Sequence, residues 1–357
     1  MFSRRGFLLC SSSFVAACAA RGEIDAMNPA VATQVVDILV ASNRARVASE
    51  SIFSGERSVR MNFAQLGVSI PAAHRVGELE VARRRADPRR HFGVTSVLDL
   101  PDAQAFSAQI ARRALALPSA QREAVVYVHG FNTRFAEALY RLAQMYHDFQ
   151  ATGIPILYSW PSSGNADDYL YDRDSVLFAR DELESLLDRL ENSQIDRIQL
   201  IGHSMGSHLI VETLRQRAIR RNGQLWSKLN GVILISPDID IDVFKRQAEE
   251  IGQLPQPFVI FTSNRDRALQ LSQWISASRT RLGSVSDRSA LAALQVTVID
   301  TTDEASRLGL NHMTGATSPA MISILSGLRN SRITESVLPP SYGTAIPIFD
   351  FSVGVAQ

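Results

Sequence analysis

From Val125 onward one pattern repeats along the chain. Apolar, strand-like runs start near residues 125, 155, 197, 230, 257 and 294, roughly 30 to 40 residues apart, with helix-period segments between them. Strands spaced this way are joined by crossovers, which predicts a mainly parallel, doubly wound sheet with helices on both faces. Two earlier strands are expected near Val36–Ala41 and Met61–Ile70, the second stopped by Pro71, which cannot donate to a ladder. A long loop from Gly77 to Arg90, a strand near Phe92–Leu98 and a helix from about Pro101 follow. The 357 residues are 45% hydrophobic and 20% charged, enough for one large core, expected over residues 34–333.

The run Arg197-Ile198-Gln199-Leu200-Ile201 ends in Gly202-His203-Ser204-Met205-Gly206, and a segment with Leu209, Ile210, Leu214 and Ala218 on one stripe follows. Strand, G-x-S-x-G turn and helix together are the setting of a nucleophile elbow. A serine there must take unfavourable backbone angles so that its hydroxyl stands clear of the sheet. Glycines on either side let strand and helix approach without a Cβ between them. Ser204 is therefore the candidate nucleophile. The N–H of Met205, opening the helix, faces the place where an oxyanion would form. The plainer reading is a glycine-rich β-to-α turn that tolerates a serine.

An elbow serine takes its acid and its histidine from later in the chain. His74, His91, His129 and His147 come too early, His203 sits inside the elbow, and His208 lies one turn along the elbow's own helix. His312, in Gly309-Leu310-Asn311-His312, remains as the candidate base. For the acid, Asp266 follows the strand Phe258–Ser263, with Asp238 in reserve behind the strand Gly231–Ile235. The alternative for Asp238, Asp240 and Asp242 is a polar turn whose last member caps a helix near Val243. A second oxyanion donor should come from an earlier strand end. Val125-Val126-Tyr127-Val128-His129-Gly130-Phe131-Asn132 offers the N–H of Phe131, with a helix expected from Thr133 to Gln150 and His129 bracing the loop.

Together these residues resemble an α/β-hydrolase, and more narrowly the bacterial esterase/lipase-like proteins of unknown function. Four stretches carry the resemblance: Tyr127–Asn132, Tyr158-Ser159-Trp160-Pro161-Ser162, Gly202–Gly206 and Asn264-Arg265-Asp266-Arg267-Ala268-Leu269. Gly67–Pro71 and Gly77–Leu79 also look like that group, so the likeness spans roughly residues 35 to 330. It implies a serine hydrolase with nucleophile Ser204, acid Asp266 and base His312, and says little about substrate.

Net charge is +1, which gives no field for nucleic acid, and none is expected as a partner. Arg83-Arg84-Arg85 with Arg89-Arg90 reads as a solvated basic loop. No metal-ligand spacing or phosphate-cradling glycine loop is present, so no cofactor and no metal is expected. Residues 1–20 read as an export signal: Ser3-Arg4-Arg5-Gly6-Phe7-Leu8 resembles a twin-arginine leader, and the apolar stretch behind it is too short to span a bilayer. Val15-Ala16-Ala17-Cys18 resembles a lipobox, so Cys18 is a candidate for lipidation and membrane attachment. The alternative is cleavage near Ala20 and release as a periplasmic protein. Both cysteines, Cys10 and Cys18, lie in this leader, leaving the body without a disulfide. A linker is expected over 21–33 and a tail over 334–357.

The chemistry these expectations describe is carboxylester hydrolysis through an acyl-enzyme on Ser204, acting on a small or lipid-like ester. The short segment Ser236–Pro257 is the natural place for a cap, which suggests an open pocket. Trp160 is a candidate to line it, though the commoner fate of such a tryptophan is packing under the sheet's edge. In a polar loop Ser162–Asp174, the side chains of Tyr169 and Tyr171 are expected to form a wall or simply to cover the loop. The same triad would also serve a thioesterase, an amidase or an acyltransferase. A binding protein that retains the fold without turnover is the contrary class.

Overall fold

The computed structural model describes residues 21–48, 52–82, 85–220, 224–263, 281–284, 291 and 294–301. In chain order the strands are β1 (Gln34–Arg46), β2 (Phe53–Ile70), β3 (Gly93–Leu100), β4 (Glu123–Val128), β5 (Ile154–Ser159), β6 (Arg197–His203), β7 (Leu229–Ile235), β8 (Phe258–Thr262) and β9 (Thr297–Asp300). The helices are α1 (Ala103–Leu115), α2 (Phe135–Asp148), α3 (Tyr169–Glu191), α4 (Met205–Arg220), α5 (Leu225–Lys228) and α6 (Ile241–Ile251). The strands form one sheet in the order β3-β2-β1-β5-β4-β6-β7-β8-β9. From β1 to β9 neighbouring strands are parallel, while β1–β2 and β2–β3 are antiparallel.

Two apolar cores lie on the two faces, and each central strand feeds both by its period of two. In β4, Ala124, Val126 and Val128 enter one core, and Val125 and Tyr127 the other. Among the described residues α1, α3, α4 and α6 cover the first face; α2 covers the second, with Phe53 and Phe92. Buried on both sides, these strands are continuous apolar runs, as a covered parallel sheet requires.

Several boundaries differ from expectation. β2 starts at Phe53 rather than Met61, because polar residues 54–60 pair on a half-exposed ribbon with β1. α3 begins at Tyr169, so Tyr169–Asp174 is helix rather than polar loop. Asp240, not Asp242, caps α6, accepting from the N–H groups of Asp242 and Val243 at 3.0 and 3.4 Å. The segment expected to carry the short cap is largely α6, whose Phe244, Ala248 and Ile251 are buried in the core. Residues 21–33, read as a linker, lie on the body. Ile24 and Met27 are buried, the N–H of Met27 donates to Val94 O at 2.8 Å, and Arg21 pairs with Glu137 at 2.8 Å. No helix among the described residues is long and apolar enough to cross a membrane.

Candidate active site

β6 delivers Ser204 at its carboxyl end, and α4 starts at the next residue. Ser204 has φ +51°, a left-handed conformation that costs a side-chain-bearing residue of order 1–3 kcal/mol. Backbone bonds hold it there: its N–H donates to Ile235 O at 2.9 Å, and its carbonyl accepts from Ser207 and Asp238 at 3.0 and 3.2 Å. The two flanking glycines are a steric necessity. A Cβ on Gly206 would stand 2.3 Å from the carbonyl oxygens of Val128 and His129, and one on Gly202 would lie 2.7 Å from Ser207 Cα. The turn therefore has the strain and the close approach expected of it.

The loop after β4 meets this turn directly. A Cβ on Gly130 would lie 2.9 Å from Ser204 Cβ and 2.5 Å from His203 Nδ1, so this backbone comes close only because Gly130 has none. Phe131 follows Gly130, and Met205 is the first residue of α4. The two candidate oxyanion donors thus belong to the two segments that converge on Ser204. Phe131's ring packs edge-on against Tyr169 at 5.3 Å.

His129 and Trp160 fasten this loop from beneath. Both are buried, their rings stack at 4.9 Å, and Trp160 Nε1–H donates to His129 O at 2.7 Å. Burial, helped by the charge of Arg44, pushes the His129 pKa down to about 3. The neutral ring donates from Nδ1 to Gly130 O (2.9 Å), leaving its Nε2 lone pair 3.2 Å from Arg44 Nη2. His129 is thus a brace, and Trp160 packs inside instead of lining a pocket.

Two residues that sequence reasoning missed complete the frame. Arg44 reaches from β1, wholly buried, and donates to Ser159 Oγ (2.9 Å), Ser162 O (2.9 Å), Thr133 O (2.7 Å) and Ser54 O (3.1 Å). Burial lowers its pKa to about 10, opposed by Asp172, so it stays charged. Asp172, in the first turn of α3, accepts from Ser162 Oγ (2.6 Å), Ser163 N–H (2.8 Å) and Asn132 N–H (3.0 Å). Burial outweighs these bonds and raises its pKa above the usual carboxylate value. The only hint of Arg44 is a charge directly after the run Ile38–Asn43. Asp172 had no distinguishing sign among Asp167, Asp168 and Asp174.

Of the acid candidates, Asp238 lies beside the elbow, its N–H on Ser204 O. Its carboxylate accepts from Tyr169 Oη at 3.0 Å and pairs with Arg281 at 3.2 Å. These residues line a small cavity of about 80 Å³ with Met205 and His208, whose pKa burial lowers. Asp266, His312 and Cys18 lie outside the described residues.

The covered parallel sheet and the strained serine between β6 and α4 define an α/β-hydrolase fold with its elbow. The chain belongs to the family described as alpha/beta hydrolase of unknown function (DUF900), whose model matches residues 103–329. No curated protein matches it in sequence. Among solved structures it is similar to esterase B from Lactobacillus Rhamnosis (HN001), at 12% identity and TM-score 0.40 over 87% of this chain and 88% of that one. It is also similar to a fungal esterase from Rhizomucor miehei (11%, TM-score 0.36, 84% of each chain). A third is the dienelactone hydrolase from Anabaena variabilis (11%, TM-score 0.35, 75% of this chain and 90% of that one).

Proposed function

We propose that this protein is a serine hydrolase that cleaves carboxylic esters through an acyl-enzyme on Ser204. The observation that carries the reading is the left-handed Ser204 with Gly130 pressed against it. Such strain persists only where surrounding structure enforces it, and it concentrates at reactive sites. In the reaction His312 takes the Ser204 proton as Oγ attacks the carbonyl, and Asp266 fixes the imidazole tautomer. The N–H groups of Phe131 and Met205 hold the oxyanion, the alcohol leaves with the proton from His312, and water deacylates the enzyme by the same route. Asp238, whose carboxylate meets Tyr169 and Arg281 beside the elbow, is the reserve acid. Export under the leader, with lipidation at Cys18, belongs to the same reading.

The test is labelling of the full chain with a fluorophosphonate probe, read by intact mass. One adduct on the wild type and none on Ser204→Ala supports an activated serine, and esters, thioesters and amides can then be compared as substrates. A folded wild type that takes no adduct would overturn the reading in favour of a binding protein.

A further inference from the structure

At the opposite end of the sheet from Ser204, near the starts of β1 and β5, two histidines converge on one carboxylate oxygen. His74 lies in the turn after β2, and His147 and Asp148 end α2. His74 Nε2 is 2.8 Å and His147 Nδ1 2.9 Å from the same Asp148 Oδ1, and the three atoms lie within 4.8 Å of one another. The side chains of His74 and Asp148 are buried, while that of His147 is 28% exposed.

The partners behind these groups fix which atoms face inward. Glu80 Oε2 lies 2.8 Å from His74 Nδ1, and its other oxygen accepts from Arg75 N–H at 2.9 Å. With Nδ1–H donated to Glu80, His74 turns its Nε2–H to Asp148 Oδ1, and an ion bound in the cluster would take the place of that proton. Asp148 Oδ2 is occupied by the N–H of Gly77 (2.7 Å) and by Gln144 Nε2 (2.5 Å), which aims Oδ1 at the histidines. A carboxylate behind a histidine and a hydrogen-bonded ligand carboxylate are the outer partners that orient metal ligands. The His74 ring is also held edge-on between Phe92 and His147, at 5.4 and 5.2 Å.

We propose that His74, His147 and Asp148 bind a divalent transition-metal ion of the zinc class. Two imidazole nitrogens and one carboxylate oxygen favour such an ion over calcium or magnesium, which take oxygen ligands. Metal–ligand bonds of about 2.1 Å in a tetrahedron put ligand atoms about 3.4 Å apart, so the two nitrogen–oxygen distances of 2.8 and 2.9 Å need to open by about half an ångström. His147 and Asp148 border a cavity of about 620 Å³, lined also by Gln34, Asp37 and Tyr146, through which an ion could enter. The ion would clamp the turn after β2 to the end of α2. Spacing along the chain conceals the set, because His74 and Asp148 stand 74 positions apart. The site is independent of the hydrolase reading.

The test titrates the untagged, metal-stripped full chain with Co²⁺, followed by visible absorption and by Zn²⁺ displacement. The expected result is one equivalent with the absorption of a low-coordinate site, and a rise in thermal midpoint on adding Zn²⁺. His147→Gln, at a partly exposed position, and Glu80→Gln should each weaken binding by about 10- to 100-fold while circular dichroism stays unchanged. Ser204→Ala should bind as the wild type does. Absence of stoichiometric binding, or binding that survives both His147→Gln and Glu80→Gln, would overturn the proposal and leave a hydrogen-bonded histidine bridge.

Discussion

Asp172 Oδ2 accepts the N–H of Asn132 at 3.0 Å, so the first turn of α3 holds the loop leaving β4 next to Ser204. The same oxygen takes the hydroxyl of Ser162. One buried carboxylate thus joins two strand-end loops, and the position of the Phe131 N–H depends on it.

Asp172→Asn keeps the shape and loses half the accepting capacity. Small misplacements of catalytic groups are costly, so on an ester accepted by the wild type kcat should fall about 10- to 100-fold with KM little changed. Steady-state kinetics on folded variant would check this, and an unchanged kcat would remove Asp172 from any positioning role.

Gly206→Ala should fail for a different reason. Its methyl would meet two carbonyl oxygens at 2.3 Å, and neither belongs to a side chain that can swing away. Overpacking of this kind costs about 1–3 kcal/mol or more. A clear fall in thermal midpoint together with loss of probe labelling is expected. A variant as stable as the wild type would mean that α4 can shift away from β4.

Arg44 bears on stability more than on chemistry. Arg44→Met strands the carbonyls of Thr133 and Ser162 and leaves Asp172 without its buried counter-charge. Breaking a buried charge network from one side costs about 3–5 kcal/mol. Urea unfolding should show this loss. Arg44→Lys should recover only part of it, since an ammonium cannot span the same fork.

His129 gives a pH dependence with a definite sign. Its folded pKa is about 3 against an ordinary 6.5. A value depressed by folding means that its contribution is full above the unfolded pKa and is lost as pH falls from 6.5 towards 3. Within that window the slope is about 1.4 kcal/mol per pH unit. Urea midpoints measured between about pH 6 and 5 should drop more steeply for the wild type than for His129→Asn, which keeps a donor near Nδ1 but cannot protonate. Equal slopes would show that His129 protonates without leaving its place.

How much of this could be read from residues alone followed the range of the interactions. The strands β4 to β8 were readable because burial on both faces makes each a continuous apolar run between turns. The elbow was readable because strand, glycines, serine and helix are contiguous. The start of α3 was hidden by its own surface: Leu170 is 66% exposed, and Tyr171, Arg173 and Asp174 mimic a polar loop. The start of β2 was hidden because Phe53–Arg60 pairs with β1 through an irregular register and alternates poorly. Arg44 meets Ser159 across 115 positions and Asp172 meets Asn132 across 40, distances at which no local pattern carries information.

The span that this chain shares with its family begins at residue 103, whereas β1, β2 and β3 precede it. Yet β1 lies beside β5 in the sheet, and Arg44 on β1 holds the loops that follow β4 and β5. A polypeptide cut at residue 103 would therefore present β5 as a bare edge of unpaired N–H and C=O groups, and such edges recruit other chains. For expression, permutation or grafting, the smallest self-standing unit starts upstream of β1, and shorter pieces are expected to self-associate through β5.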